Sequence, residues 1–280
     1  MSVLTLPAWL AAHPYLAPLA QLTAQVDRAV GESEIPPAGV PVWDEYAADF
    51  DAGVPLLTSA EAGISLAPAG GMALALVERL SSVPSADLSI PGLAPVAALR
   101  HDREAPRRVA ALLLGDESID VPSPGLLRYL GWAAAARYLA PVMHAFARWR
   151  DEDRWLRRYC PSCGSLPAMA QLVGEETGRV RWLSCGRCRT RWRYARTRCP
   201  FCEVDAHRAS TLTVEGEGGL RIDYCESCKG YLKTYDGQGD EALLLADWTS
   251  LHLDVAAHDR GLTRRAASLY ELGALLPASA

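Results

Sequence analysis

The chain has 280 residues, half of them hydrophobic, enough for a sizeable core and for about two domains by length alone. Its net charge of -5 and pI near 5.7 exclude a general coat for nucleic acid, which would show a basic domain. No charged side chain precedes Asp27, but Pro7, Pro14 and Pro18 interrupt that stretch and no basic residue opens it, so it reads neither as a secretory leader nor as a membrane span. The longest uncharged run elsewhere, 62–77, is broken by Pro68, Gly70 and Gly71. The expectation is a soluble cytoplasmic protein without membrane association.

In chain order, short apolar stretches rich in Ala and Leu come first, at 9–26, 72–82, 93–101 and 106–114, with Pro/Gly breaks such as "EIPPAGVP" between them. Segment 125–150 is the strongest helix candidate. It is apolar nearly all round, as a buried helix would be, and Pro141 should kink or break it. Arg137, His144 and Arg148 fall on one face of it and read as a solvated stripe. "RVRWL" (179–183) and "LRIDY" (220–224) alternate as strands do. Leu244, Trp248, Leu251 and Val255 fit one helical stripe that Gly261 closes, and a second short helix is expected at 264–275.

All eight cysteines lie between 160 and 228, in four Cys-x-x-Cys pairs: Cys160/Cys163, Cys185/Cys188, Cys199/Cys202 and Cys225/Cys228. "CPSC" matches "CPFC" at an offset of 39 residues (160 to 199), and "CGRC" matches "CESC" at 40 (185 to 225). A period near 40 marks a tandem duplication. Each unit is a pair, a hairpin-length spacer and a second pair, the pattern of a rubredoxin or zinc-ribbon module with four thiolates around one ion. Backbone N–H groups bonding to the sulfurs would offset the charge, and Gly164 suits the left-handed turn after the first pair. A disulfide framework does not fit a reducing compartment. A thioredoxin-type site would need the motif to open a helix. Duplication favours consecutive sets, Cys160, Cys163, Cys185 and Cys188 as site 1 and Cys199, Cys202, Cys225 and Cys228 as site 2. A cross-braced arrangement stays open. Ligand type leaves iron and zinc equally admissible.

Eight arginines and no acid lie between Arg179 and Arg198. Arg189, Arg191 and Arg193 alternate with Thr190, Trp192 and Tyr194, so a strand there would have a basic face. That face is a candidate partner surface, weighed against plain solvation and balance of two dianionic sites. No nucleophile–base constellation or Gly-rich phosphate loop stands out, the six histidines are scattered, and His207 reads as a loop residue. An interaction protein fits better than an enzyme. A zinc-ribbon nucleic-acid binder and a rubredoxin-like electron carrier are the alternatives.

"CPSCGSLPAMAQL" (160–172), "RWLSCGRCRTRWRYARTRCPFC" (181–202), "YCESCKGYLKTYD" (224–236) and "LADWTSLHLD" (245–254), in this order, resemble the FdhE family of formate dehydrogenase accessory proteins, as does "GWAAAARYLAPVM" (131–143). The resemblance implies a cytoplasmic, non-catalytic protein that binds the catalytic subunit of a respiratory formate dehydrogenase before export, and it favours iron at the sites. Where the family often has Gly directly after the last Cys, Lys229 stands here and Gly230 follows. The expected architecture is α+β: a helical domain at 1–157, rubredoxin-like modules at 158–196 and 197–238, and a C-terminal helical segment at 239–280. Nucleic acid is not an expected partner. A homo-oligomeric state stays open.

Overall fold

The computed structural model describes residues 4–82, 93–175, 178–205, 208–217 and 219–270. The helices are α1 (Leu6–Ala12), α2 (Ala17–Gly31), α3 (Trp43–Ala52), α4 (Ala67–Ser82), α5 (Leu93–Ala97), α6 (Ala105–Leu114), α7 (Pro124–Tyr138) and α8 (Ala140–Trp149), then α9 (Glu241–Leu244) and α10 (Leu251–His258). The strands are β1 (Pro167–Val173), β2 (Val180–Cys185), β3 (Arg191–Arg193), β4 (Ala209–Thr213), β5 (Leu220–Cys225) and β6 (Tyr231–Asp236). By contacts the chain forms two compact units. One gathers Met1–Pro14, Ala48–Pro55 and Asp151–Ser268, and the other Tyr15–Ala47, Leu56–Arg150 and Leu269–Ala280.

The second unit is helical. Within it α4 packs on α6 and α7, around buried Leu76, Val77, Val109, Leu112, Leu127 and Leu130. Gly70 allows the closest approach: a Cβ there would stand 2.2 Å from the carbonyl oxygen of Pro106. The predicted 125–150 helix is two helices meeting at Leu139. Pro141 falls in the first turn of α8, where its missing N–H costs nothing, and α7 buries residues on every side as its composition requires. Arg137, His144 and Arg148 are exposed. α3 was not legible, since its acidic "WDEYAADFDA" lacks a clear apolar period.

The first unit holds one six-stranded sheet, ordered β3-β2-β1-β6-β5-β4. Each cysteine unit supplies three antiparallel strands, β1–β3 and β4–β6. The two join through a parallel pairing of β1 with β6, from Met169↔Lys233 to Leu172↔Asp236. The repeats therefore stack in the same sense, the first strand of one copy against the last strand of the other.

The predicted stripe through Leu244 and Val255 is not one helix. Residues Asp247–Ser250 form a 3-10 turn between α9 and α10, and Val255 is 63% exposed. The break has a polar cause. Lys233, on β6 and 1% exposed, donates to the carbonyls of Asp247 (2.9 Å) and Ser250 (3.4 Å), which a continuous helix would use internally. Its ammonium also meets Asp247 Oδ1 at 2.7 Å and Asp254 Oδ2 at 2.8 Å. Arg264 pairs with the same two carboxylates. Gly261, at φ +70°, turns the chain after α10. The helix expected at 264–275 is absent over 264–270, because Thr263 bridges to Gly230 and Arg264 is drawn into the ion pairs; 271–275 lie outside the described residues.

Candidate metal centres

Each Cys-x-x-Cys pair sits on a tight turn, and the four turns share one hydrogen-bond pattern. The N–H following the second cysteine donates to the carbonyl of the first: Gly164 to Cys160 (2.9 Å), Arg189 to Cys185 (3.2 Å), Glu203 to Cys199 (3.0 Å) and Lys229 to Cys225 (2.8 Å). The N–H of each first cysteine donates to the carbonyl five residues on, in Ser165, Thr190, Val204 and Gly230. This geometry demands a left-handed residue after the second cysteine. Gly164 (φ 74°), Arg189 (φ 60°), Glu203 (φ 60°) and Lys229 (φ 57°) all adopt it. Lys229 therefore takes the backbone conformation that a glycine there would take, at a steric cost of about 1 kcal/mol. Gly230 answers a different need, since a Cβ there would stand 2.8 Å from Phe201 Cδ2 and 3.2 Å from Cys228 Sγ.

The consecutive sets converge. The sulfurs of Cys160, Cys163, Cys185 and Cys188 lie within 4.8 Å of one another, as do those of Cys199, Cys202, Cys225 and Cys228. In the first set Cys160–Cys188 and Cys163–Cys185 are each 3.4 Å apart. In the second, Cys199–Cys228 is 3.9 Å and Cys202–Cys225 is 3.7 Å. A tetrahedron with metal–sulfur bonds of about 2.3 Å has sulfur–sulfur edges of about 3.8 Å. All eight cysteines are free thiols. Backbone N–H groups point at sulfur as the motif requires: Arg187 to Cys185, Phe201 to Cys199 and Gly230 to Cys228, each 3.4 Å. The donor set, spacing and N–H···S bonds fit one tetrahedral ion per tetrad, which leaves the two clusters consistent with zinc-ribbon-like modules.

The tetrads differ in environment. Cys160, Cys163 and Cys185 are buried, whereas Cys202 is exposed and Cys199 and Cys228 are half-buried. Burial pushes the thiols of Cys160 and Cys185 well up, while hydrogen bonds from Cys160, Cys185 and Cys188 hold Cys163 well down. In the second tetrad burial pushes Cys199 up to about 12. Burial opposes ionisation at Cys225 too, but backbone hydrogen bonds from Cys228 and Ser227 hold it down at about 7. Cys163 and Cys225 are thus favoured for ionisation, and a cation at either tetrad would favour the thiolate form of its ligands. The first tetrad is buttressed from outside the cysteine region. Tyr159 Oη donates to the Gly53 carbonyl (2.9 Å), Trp155 meets Phe50 at a tilt (5.1 Å between centroids), and a Cβ at Gly164 would stand 3.1 Å from Pro55 Cγ.

The arginine strip is largely engaged. Arg191, on β3, reaches Gln171 and lies over the Trp182 ring, and Arg193 pairs with Asp153. Arg181 lies over Tyr194, and Arg179 pairs with Asp236 at 2.5 Å. Arg189 is exposed at its turn. Trp192 and Tyr194 are buried on the opposite face, so the alternation in the sequence separates charge from core. His207 lies outside the described residues. A third convergence of metal-binding side chains, His13, Glu217 and His252, had no sequence signal because its members are scattered along the chain. Among the described residues no helix is long and apolar enough to cross a membrane.

Residues 159–196 match the family model described as "FdhE, central domain". The chain is 33% identical to an FdhE homolog of Pseudomonas aeruginosa over 192 residues, covering 61% of this chain and 58% of that protein. It is 31% identical to an Aquifex aeolicus FdhE homolog over 45% of this chain and 47% of the relative. It is 29% identical to FdhE of Escherichia coli over 48% and 44%. The chain thus spans about half the length of the curated relatives it matches. The crystal structure of the FdhE protein from Pseudomonas aeruginosa shares the fold, with a TM-score of 0.61 at 24% identity over 91% of this chain and 88% of that one. The chain is thus similar to FdhE proteins across its cysteine region and shares the fold of one of them.

Proposed function

We infer that the protein is an accessory factor for the formation of a respiratory formate dehydrogenase, acting in the cytoplasm on the catalytic subunit before its export and catalysing no reaction itself. The observation that carries this reading is the pair of matched cysteine tetrads, the first of which falls wholly within the segment matching the FdhE central domain. Cys160, Cys163, Cys185 and Cys188 would hold one ion, and Cys199, Cys202, Cys225 and Cys228 the other. Iron is the ion we favour, with zinc as the alternative. Four thiolates fill a tetrahedral shell, so either ion serves first to fix the two modules, and iron would add a one-electron couple.

The intramolecular partners of Arg179, Arg181, Arg191 and Arg193 weigh against a phosphate-binding strip. Arg189 remains a candidate contact for an acidic surface of the subunit, with Arg191 and Arg193 secondary to it. The test is co-purification of the tagged protein with the formate dehydrogenase catalytic subunit, together with formate dehydrogenase activity in a deletion strain. Capture of the subunit and loss of activity are expected. No interaction and unchanged activity would refute the reading.

A further inference from the structure

We propose that His13, Glu217 and His252 hold a third ion, a divalent first-row transition metal, which fastens α1 to the second cysteine module. The three side chains come from separate parts of the same compact unit. His13 follows the last turn of α1, Glu217 lies in the loop between β4 and β5, and His252 is in the first turn of α10. His13 and Glu217 are buried, and the candidate ligand atoms of all three residues lie within 4.8 Å of one another.

The hydrogen-bond logic leaves room for a cation. His13 Nδ1 is 3.0 Å from the Trp9 carbonyl, which can only accept, so Nδ1 carries the proton. In a neutral ring Nε2 is then a lone pair, yet it faces Glu217 Oε1 at 3.1 Å. Two acceptors in contact need a shared proton or a shared cation. His252 Nε2 approaches the other oxygen, Glu217 Oε2, at 2.8 Å. The two imidazoles stack with centroids 4.9 Å apart, which brings both rings to the same carboxylate. One cation between three donors satisfies both contacts. An imidazole whose other nitrogen donates to a backbone carbonyl is a common arrangement for a metal-bound histidine. Two imidazoles and a carboxylate suit zinc or ferrous iron, not magnesium or calcium. The ring stack of Trp9 on His13 (4.0 Å) and the Trp9 Nε1 bond to the Thr249 carbonyl (3.0 Å) hold the ligand in place.

Cobalt(II) titration of untagged, reduced, metal-stripped protein tests the site, since thiolate-bound cobalt has intense near-ultraviolet charge-transfer bands that imidazole–carboxylate cobalt lacks. The expected result is three equivalents per chain, two with thiolate bands and one without. Glu217→Gln and the His13→Ala/His252→Ala pair should each lose only the third, and the third equivalent should slow hydrogen exchange in α1 of the wild type. Saturation of the wild type at two equivalents, or a third equivalent that persists in both variants, would overturn the proposal. The wild-type count decides even where a variant does not fold.

Discussion

Lys233 is one of only two lysines in the chain, and its ammonium is enclosed where the two repeats meet. Its strand, β6, pairs with β1 of the first repeat, and its ion pairs anchor the 3-10 turn over the sheet. Two cations, Lys233 and Arg264, balance two carboxylates, Asp247 and Asp254. Lys233→Met leaves an uncompensated buried negative charge, and breaking such a pair typically costs about 3–5 kcal/mol. Arg264 still holds both carboxylates and Ser268 still donates to Asp247 (2.9 Å), so the low end, about 3 kcal/mol, is expected. Asp247→Asn should cost a similar amount by leaving the opposite charge in excess. The double variant restores the balance and should recover about 2 kcal/mol of the summed loss. Urea unfolding followed by tryptophan fluorescence, at fixed free metal concentration, measures all four corners of the cycle. Single costs below about 1 kcal/mol that simply add would refute the claim that the four charges act as one buried unit. Lys233→Arg should not rescue, because a planar fork cannot reproduce the compact ammonium's bonds to two carbonyls and two carboxylates.

The four cysteine turns make a second prediction. Gly164→Ala should destabilise by about 1–2 kcal/mol, whereas Lys229→Gly and Glu203→Gly should be neutral to mildly stabilising, read by the same unfolding assay. The more exposed second tetrad should surrender its ion to a chelator first, so metal release followed with a thiol-reactive dye should modify Cys202 before Cys160. In the helical unit, Gly70→Ala should cost about 1–3 kcal/mol, because the blocking atom is the Pro106 backbone and not a movable side chain. Burial acts to raise the Asp247 carboxyl, but the charges of Lys233 and Arg264 and their hydrogen bonds together outweigh it and hold the carboxyl below its ordinary range. A depressed folded-state value means its stabilisation is present above the unfolded value near pH 4 and is lost as pH falls through the folded one. The stability difference between wild type and Asp247→Asn should accordingly be constant above pH 5 and shrink below about 4.

What the sequence disclosed followed from how tightly chemistry constrains spacing. Two thiols aimed at one ion require the Cys-x-x-Cys turn, and the repeat near 40 residues favoured the consecutive sets over a cross-braced one; the fold brings the consecutive sets together. Pro141 marked the α7–α8 break because it has no N–H to offer. What stayed hidden depends on partners distant in sequence. Arg189, Glu203 and Lys229 fill left-handed positions that a reader assigns to glycine, because the hydrogen bonds of the turn outweigh the local preference. The stripe through Leu244 and Val255 looked continuous because nothing in 239–258 shows that Lys233 will take two of its carbonyls. His13 and Glu217 are 204 residues apart, and only the folded sheet brings them together.

On the proposed reading, each tetrad holds its own ion. Cobalt(II) titration of the Cys185→Ser and Cys225→Ser variants, alone and combined, tests it most directly. Two thiolate-bound equivalents are expected in the wild type, one in each single variant and none in the double. Loss of both equivalents from either single variant, with the fold retained by circular dichroism, would show a shared cluster and contradict it.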